Sequence, residues 1–289
     1  MQQSNQIENL KPFVKWVGGK SSSVNRLLEL MPEHIDTYVE PFVGSGALFF
    51  AVNFKKAIIN DVNEELINTY KVIKDNVGAL EFFLSSLIYD KQLYDTIRAW
   101  DRDPHYKNRP KEDRAGRFIY LMKTCFNGLY RVNKKGFFNT PFGKYTSPLI
   151  CDTKTLNACS KYLNEHEVTI LNGDYQKILS YLNQDCFVYL DPPYYPISKT
   201  ANFTQFQKEN FKEDSQYQLF EFCKELHKRG IKFMLSNSDV PEIRNLYQDF
   251  DIHVIEVSRK VNSNTAKRNA VNELAIINYD KDSGEILSS

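Results

Sequence analysis

The stretch that most constrains this chain is Phe187-Val188-Tyr189-Leu190 followed at once by Asp191-Pro192-Pro193-Tyr194-Tyr195. A short β-branched and aromatic run ended by Asp-Pro-Pro reads as a core strand. Its last residue delivers a carboxylate to the open end of a sheet, where α/β proteins place their ligands. The four residues Asp191 to Tyr194 suit chemistry on an amino group. Asp191 and the Pro192 carbonyl can each accept one hydrogen from an exocyclic amine, and the Tyr194 ring can lie flat on the heterocycle that carries it. Asp-Pro-Pro is equally at home in a plain turn, so other features have to decide.

Further strands are expected at Tyr38–Glu40, Ala57–Asn60, Val168–Asn172, Ile231–Ser236, His253–Val257 and Glu273–Asn278. Amphipathic helical patterns lie between most of them, among them Ser22–Glu29, Asn63–Asp75, Asp174–Leu182 and Ser215–Arg229. Alternating β and α elements imply an α/β fold, a mostly parallel sheet with helices on both faces. Residues 63–150 break the alternation with helical stretches and then a turn-rich segment, Asn127-Gly128, Lys135-Gly136 and Pro141-Phe142-Gly143, that reads as a hairpin. The organisation expected is one domain from residues 1–62 and 151–289, interrupted by an insertion at 63–150.

Charge singles out the same insertion. From Lys91 to Ser147 there are 13 basic and 5 acidic residues, a local charge of +8 in a chain whose net charge is +1. Residues 114–151 hold no acid at all but seven basic residues, Arg114, Arg117, Lys123, Arg131, Lys134, Lys135 and Lys144. Aromatics are interleaved with them, at Phe118, Tyr120, Phe126, Tyr130, Phe137, Phe138, Phe142 and Tyr145. Basic residues satisfy phosphates and read guanine edges, and aromatics stack on bases, so this pattern points to a polyanion. Phe118 and Tyr120 fit a helical core instead. A second acid-free stretch, Val257 to Asn272, carries Arg259, Lys260, Lys267 and Arg268 and is expected to form another contact loop.

At 289 residues the chain can bury a sizeable core. It has no apolar run near the roughly 18 residues that span a bilayer, and its polar start is unlike a signal peptide, so a cytoplasmic protein with no membrane partner is expected. The five cysteines, Cys125, Cys151, Cys159, Cys186 and Cys223, have no metal-ligand spacing, which argues for reduced structural thiols and no metal.

Glu40-Pro41-Phe42-Val43-Gly44-Ser45-Gly46 follows the first strand, and its glycines let backbone approach a ligand at the head of the next helix. The second strand ends in Asp61, the place for an acid that takes ribose hydroxyls. Position 49 is Phe, so the dinucleotide fingerprint Gly-x-Gly-x-x-Gly is absent, and a cofactor with adenosine but no pyrophosphate fits better. Trp16-Val17-Gly18-Gly19-Lys20-Ser21 is not a P-loop, because position 14 is Val where that motif needs glycine. A tight Gly-Gly turn instead presents an aromatic and a lysine, a pair suited to a carboxylate and an adenine or sulfonium.

Together these motifs resemble a known family. Phe13-Val14-Lys15-Trp16-Val17-Gly18-Gly19-Lys20, the Glu40–Gly46 segment, Asn172-Gly173-Asp174-Tyr175 and Asp-Pro-Pro-Tyr, in this order and with the insertion after the second strand, are similar to the Dam-type DNA adenine N6-methyltransferases. Phe126–Asn133, Phe138–Tyr145 and the loop Thr200–Thr204 carry the likeness further, over about residues 11 to 280. The resemblance implies a Rossmann-like methyltransferase sheet and transfer of a methyl group from S-adenosylmethionine to N6 of a flipped adenine in double-stranded DNA, within GATC, by a monomer. It implies that Trp16, Lys20, Phe42, Gly44, Gly46, Asp61, Asp174 and Asp191 surround the cofactor, and that Asp191, Pro192 and Tyr194 are catalytic. It also makes the insertion a target-recognition domain, in which Leu129, Arg131 and Pro141 read bases and Phe126 and Asn127 sit beside the flipped base. Lys15 would approach the outer guanine, with Asn133, Lys144 and Tyr145 also on DNA. A catalytically inactive DNA-binding protein is the alternative from another class, and an enzyme acting on RNA or a free amine is a third reading, with little use for an 88-residue basic insertion.

Overall fold

The computed structural model describes residues 10–20, 22–52, 54–196, 213–257 and 271–287. Among them seven strands form one sheet: β1 (Thr37–Glu40), β2 (Lys56–Asp61), β3 (Glu167–Asn172), β4 (Cys186–Leu190), β5 (Lys232–Ser238), β6 (Asp251–Val257) and β7 (Val271–Ile277). Their spatial order is β3-β2-β1-β4-β5-β7-β6. β1 pairs parallel to both β2 and β4, and β4 parallel to β5, while β7 runs antiparallel between β5 and β6. The mostly parallel α/β sheet expected from the sequence is therefore present, with all seven strands near their expected positions. Chain order reverses between β1 and β4, and in doubly wound sheets the strand carboxyl ends at such a switch point form the ligand crevice. Glu40, Asp61 and Leu190 are the last residues of β1, β2 and β4. All five residues of β4 are buried, as a central strand covered on both faces requires.

The helices start where capping residues allow. α1 (Val24–Leu30) precedes β1. α2 (Glu64–Asp75) begins at Asn63, whose side chain accepts from the Leu66 N–H, with Glu64 and Glu65 in the first turn where the helix dipole favours acids. α3 (Val77–Ser85), α4 (Lys91–Arg98) and α5 (Lys111–Thr124) fill the first part of the insertion, and α6 (Thr153–Glu165) leads into β3. α7 (Glu213–Lys228) precedes β5, and α8 (Pro241–Leu246) follows it.

Two helical expectations take another form. Tyr175–Tyr181 is a 3₁₀ helix, which suits a segment that buries Tyr175 and Ile178, three residues apart and so stacked at three residues per turn. Among the described residues directly after Gly46, 47–52, no regular helix forms. Leu48, Phe49, Phe50 and Val52 are all buried, an arrangement with no polar face to turn to water, and the backbone makes successive turns.

Contacts divide the chain into two compact units: Met1–Gly19, Val43–Phe50 and Asn60–Asp174 form one, and Lys20–Phe42, Ala51–Ile59 and Tyr175–Ser289 the other. No helix among the described residues is long and apolar enough to cross a membrane.

Candidate active site

In the second unit, β4 ends at Leu190 and the next residue, Asp191, carries a side chain that is largely buried. Lys20 stands just before α1 with only 5% of its surface exposed, and its Nζ is 3.0 Å from Asp191 Oδ1 and 3.5 Å from Glu273 Oε2. The same ammonium lies 4.4 Å from the centroid of the Tyr194 ring, and the Tyr194 hydroxyl donates to Glu273 Oε2 at 3.0 Å. Burial pushes the Asp191 carboxyl above its ordinary range, the Lys20 ammonium pulls it down, and the Glu273 carboxylate pushes it up again. Hydrogen bonds fix the loop that carries this group. Gln216 Nε2 donates to the Pro193 carbonyl at 3.0 Å, the Tyr195 N–H donates to Asn237 Oδ1 at 3.1 Å, and Ser238 Oγ donates to the Tyr195 carbonyl at 2.7 Å. The Pro192 carbonyl accepts no hydrogen bond from the described residues, which leaves it as a fixed acceptor.

Glu273 is the member of this cluster that sequence reasoning missed. It belongs to no motif, and in the sequence it is only the start of a strand. Because β7 runs antiparallel to β5, that start lies opposite Ser238 at the end of β5 and so at the same sheet edge as Asp191. A reading of strand direction, which the alternation pattern does not carry, is the signal that finds it. Glu40, buried at the end of β1, accepts from the Tyr38 hydroxyl at 2.7 Å. Phe42, half-buried, places its ring 5.1 Å from that of Tyr175.

The first unit holds a second group. The turn at Trp16 closes with the Gly19 N–H on the Trp16 carbonyl, and the Trp16 ring stacks on Tyr130 at 5.5 Å. Gly44 and Gly46 both have positive φ, +49° and +71°. A Cβ at Gly44 would lie 2.7 Å from the Trp16 ring and one at Gly46 2.6 Å from the Tyr70 hydroxyl, so the room these glycines provide is used by those two side chains. Asp61 Oδ2 accepts from the Gly44 N–H at 3.1 Å and Oδ1 from the Asn63 N–H at 2.9 Å. Burial nonetheless raises its pKa to about 6, with the backbone donors acting in the opposite direction. The Val62 N–H also acts on this carboxylate, so three backbone donors leave it limited further capacity to accept from a ligand hydroxyl. The Asn172-Gly173-Asp174 turn is tied to this point by the Gly173 N–H on the Asp61 carbonyl at 3.2 Å, with Asp174 exposed.

The hairpin of the first unit is closed by isolated bridges Cys125↔Phe142 and Val132↔Phe138. Its tip is built by Asn133, whose Oδ1 accepts from the Lys135 and Phe137 N–H groups. Phe126 (50% exposed), Asn127, Arg131, Lys134, Lys135, Pro141 and Lys144 are exposed. Asn127 adopts φ +54°, a conformation that asparagine tolerates better than most residues. The Phe126 N–H donates to the Pro141 carbonyl at 2.8 Å, which brings those two candidates side by side. Lys15 is exposed beside Gly128, as a Cβ placed there would be 3.5 Å from the Lys15 Cβ. Arg131 is held by its Nε on Asn139 Oδ1 at 2.8 Å and its Nη2 on the Asn139 carbonyl at 3.1 Å. Leu129 is half-buried, its carbonyl accepting from the Thr140 hydroxyl at 2.6 Å, and the Tyr145 hydroxyl donates to the Cys125 carbonyl at 2.9 Å.

The acid-free stretch is less of a surface than its composition suggests. Arg114 and Arg117 are buried, Arg114 on Glu64 and Glu65 and Arg117 on Asp101, acids that lie outside the stretch in sequence. Phe118, Tyr120 and Phe138 are core, and among the eight interleaved aromatics Phe126 alone is largely exposed. The loop Thr200–Thr204 and the basic residues Arg259, Lys260, Lys267 and Arg268 lie outside the described residues.

Residues 16–261 match the D12 class N6 adenine-specific DNA methyltransferase family. The chain belongs to that family. The D12 match takes in Trp16, Lys20, Gly44, Asp61, the hairpin and Asp191 to Tyr194, and stops short of Glu273. Relatives of this D12 methyltransferase include the Type II methyltransferase M1.LlaDCHI of Lactococcus lactis subsp. cremoris, 41% identical over 96% of this chain and 98% of that protein. The Type II methyltransferase M.MjaIII of Methanocaldococcus jannaschii is 42% identical over 93% of this chain and 99% of its own length. The DNA adenine methylase of Escherichia coli (strain K12) is 32% identical over 91% and 94%.

Proposed function

We propose that this protein transfers a methyl group from S-adenosylmethionine to N6 of an adenine flipped out of double-stranded DNA, within GATC. The observation that carries the reading is the fixed loop after β4, which presents the Asp191 carboxylate, an unengaged Pro192 carbonyl and the Tyr194 ring together. The N6 lone pair of adenine is delocalised into the ring and is a poor nucleophile. With Asp191 and the Pro192 carbonyl each accepting one N6 hydrogen, the nitrogen can pyramidalise, and preorganised negative charge meets the positive charge that develops on it. Asp191 acts as the carboxylate, so activity falls as pH drops through its raised pKa, and the Lys20 ammonium favours the ionised form. S-adenosylmethionine, when bound, supplies the electrophilic methyl group. Asp61 would take its ribose hydroxyls, the remaining acceptor capacity of a carboxylate oriented by the Gly44, Asn63 and Val62 N–H groups being suited to that. Trp16, Lys20, Phe42, Gly44, Gly46 and Asp174 complete the proposed cofactor set.

A base inside a duplex is out of reach, so the target is flipped at a cost of a few kcal/mol and stacked on Tyr194. Residues 63–150 act in this reading as the target-recognition insertion and the remainder as the catalytic domain. Arg131, Leu129 and Pro141 read bases, Phe126 and Asn127 fill the gap beside the flipped base, Lys15 approaches the outer guanine, and Asn133, Lys144 and Tyr145 contact the backbone. Their exposure on one hairpin supports Phe126, Asn127, Arg131, Pro141 and Lys144 in these roles. The protein acts as a monomer. Plasmid incubated with protein and S-adenosylmethionine should resist a nuclease blocked by adenine-methylated GATC and become sensitive to one that requires it. Methyl incorporation without that change would refute GATC, and no incorporation into any DNA would refute the activity.

A further inference from the structure

Two carboxylates share one buried ammonium at the end of β4, and only one of them belongs to a recognised motif. Glu273 Oε2 receives the Tyr194 hydroxyl at 3.0 Å and lies 3.5 Å from the Lys20 ammonium, which sits 3.0 Å from Asp191 and 4.4 Å above the Tyr194 ring. A tyrosine ring anchored only at its Cβ is free to turn about its side-chain torsions. One tied at the far end by its hydroxyl, with an ammonium over its face, keeps one plane. Glu273 is itself placed by the strand pairing Ser238↔Glu273, on a rigid sheet edge rather than a loop. The stacking role read from the sequence leaves the Tyr194 hydroxyl idle, whereas the structure gives that hydroxyl a partner.

We propose that Glu273 is a positioning residue for methyl transfer, one that fixes the plane of the Tyr194 ring through its hydroxyl and draws the Lys20 ammonium between two carboxylates, so that Asp191 keeps acceptor capacity for the target amine. This role rests on the methyltransferase reading above. The charged and titratable groups acting on Asp191 are Lys20, Glu273, Tyr194 and Tyr189, and Glu40 acts on Tyr189 in turn. Of these, Glu273 is the like charge, so removing it eases ionisation of Asp191.

The test uses the full chain, labelled S-adenosylmethionine and a duplex containing GATC. Glu273→Ala should lower kcat by about tenfold or more while KM for DNA stays within about threefold, because the lost interaction orients the reacting groups rather than holding DNA. Glu273→Gln keeps an acceptor for the tyrosine hydroxyl but removes the charge. It should recover most of the lost rate and move the acid limb of the pH–kcat profile to lower pH by about half a unit or more. Glu273→Ala and Tyr194→Phe combined should cost clearly less than the sum of the two alone, since both cut the Tyr194–Glu273 tether, although Tyr194→Phe also takes the hydroxyl from Asp191. A Glu273→Ala rate within about twofold of the parent would overturn the proposal. So would alanine and glutamine variants equally impaired with an unmoved acid limb, or additive losses in the double variant. A parent that methylates no DNA overturns the functional reading and this role together, whereas an active parent indifferent to Glu273 overturns this role alone.

Discussion

The charges of the Lys20, Asp191 and Glu273 cluster and those of the hairpin meet water in opposite ways. Lys20 is almost fully buried and held by two carboxylates, while Arg131, Lys134, Lys135 and Lys144 stand exposed along the hairpin. Buried charges in fixed mutual contact are barely screened by salt and need no reorganisation when a reaction develops charge beside them. Exposed cations are strongly screened, and they add affinity by releasing counterions from a phosphate backbone. In the proposed function the contrast would separate groups that set rate from groups that set binding.

The sharpest way to break this comparison is at Asp191. Asp191→Ala should reduce methyl transfer by about 10³-fold or more while DNA binding persists, and Asp191→Asn should be nearly as damaging because an amide is a much weaker acceptor than a carboxylate. Turnover within about tenfold of the parent would remove Asp191 from its assigned role. Next comes Arg114, a basic residue of the hairpin's own sequence stretch that is buried against Glu65. Arg114→Ala should destabilise the fold by about 1–3 kcal/mol in denaturant melts, because Glu65 loses a buried charged donor but keeps Lys107 and the Tyr106 hydroxyl. A loss under about 1 kcal/mol would place it with the surface cations instead.

Asp61 sharpens the buried side through pH. Burial holds its carboxyl at about 6 against an ordinary 3.8, so in rising pH the unfolded chain releases this proton first and the folded protein retains it longer. Its stability contribution is complete below about pH 4 and is lost as pH rises through about 6. The stability of the parent relative to Asp61→Asn should therefore fall between pH 4 and 7, by up to about 3 kcal/mol at roughly 1.4 kcal/mol per pKa unit. Urea midpoints that change in parallel for the two proteins would show that the carboxyl is not perturbed.

The smallest effects belong to the hairpin. Arg131→Ala should cost about 1–3 kcal/mol and relax discrimination at one base pair, measured as methylation rates on singly substituted GATC duplexes at fixed salt. Lys134→Ala and Lys135→Ala should instead weaken binding to all sequences alike, each reducing the salt slope by about one. If Arg131→Ala slowed every duplex equally, it would orient the hairpin on DNA rather than read a base.

Hydrophobic runs and their punctuation made the strands, the Asp191 edge and the hairpin legible in the sequence. Strand periodicity and turn residues are local properties, visible in a window of ten residues. Charge was the less faithful guide. The acid-free stretch looked like one basic face, yet Arg114 and Arg117 turn inward to Glu64, Glu65 and Asp101, because whether a cation is solvated depends on partners that the window does not contain. The interleaved aromatics divide in the same way, with Phe118, Tyr120 and Phe138 in the core and Phe126 exposed.

By itself, then, the sequence determined the carboxylate after β4, the acid that ends β2, the glycine turn after β1 and the family resemblance, since each is carried by residues adjacent in the chain. Only the tertiary structure decided that Glu273 joins Lys20, Asp191 and Tyr194. β7 is reversed and inserted between β5 and β6, which brings the beginning of a strand to the edge where the parallel strands end. A pattern of alternating burial is the same read in either direction, so the side of the sheet on which Glu273 emerges is settled by pairing and not by sequence.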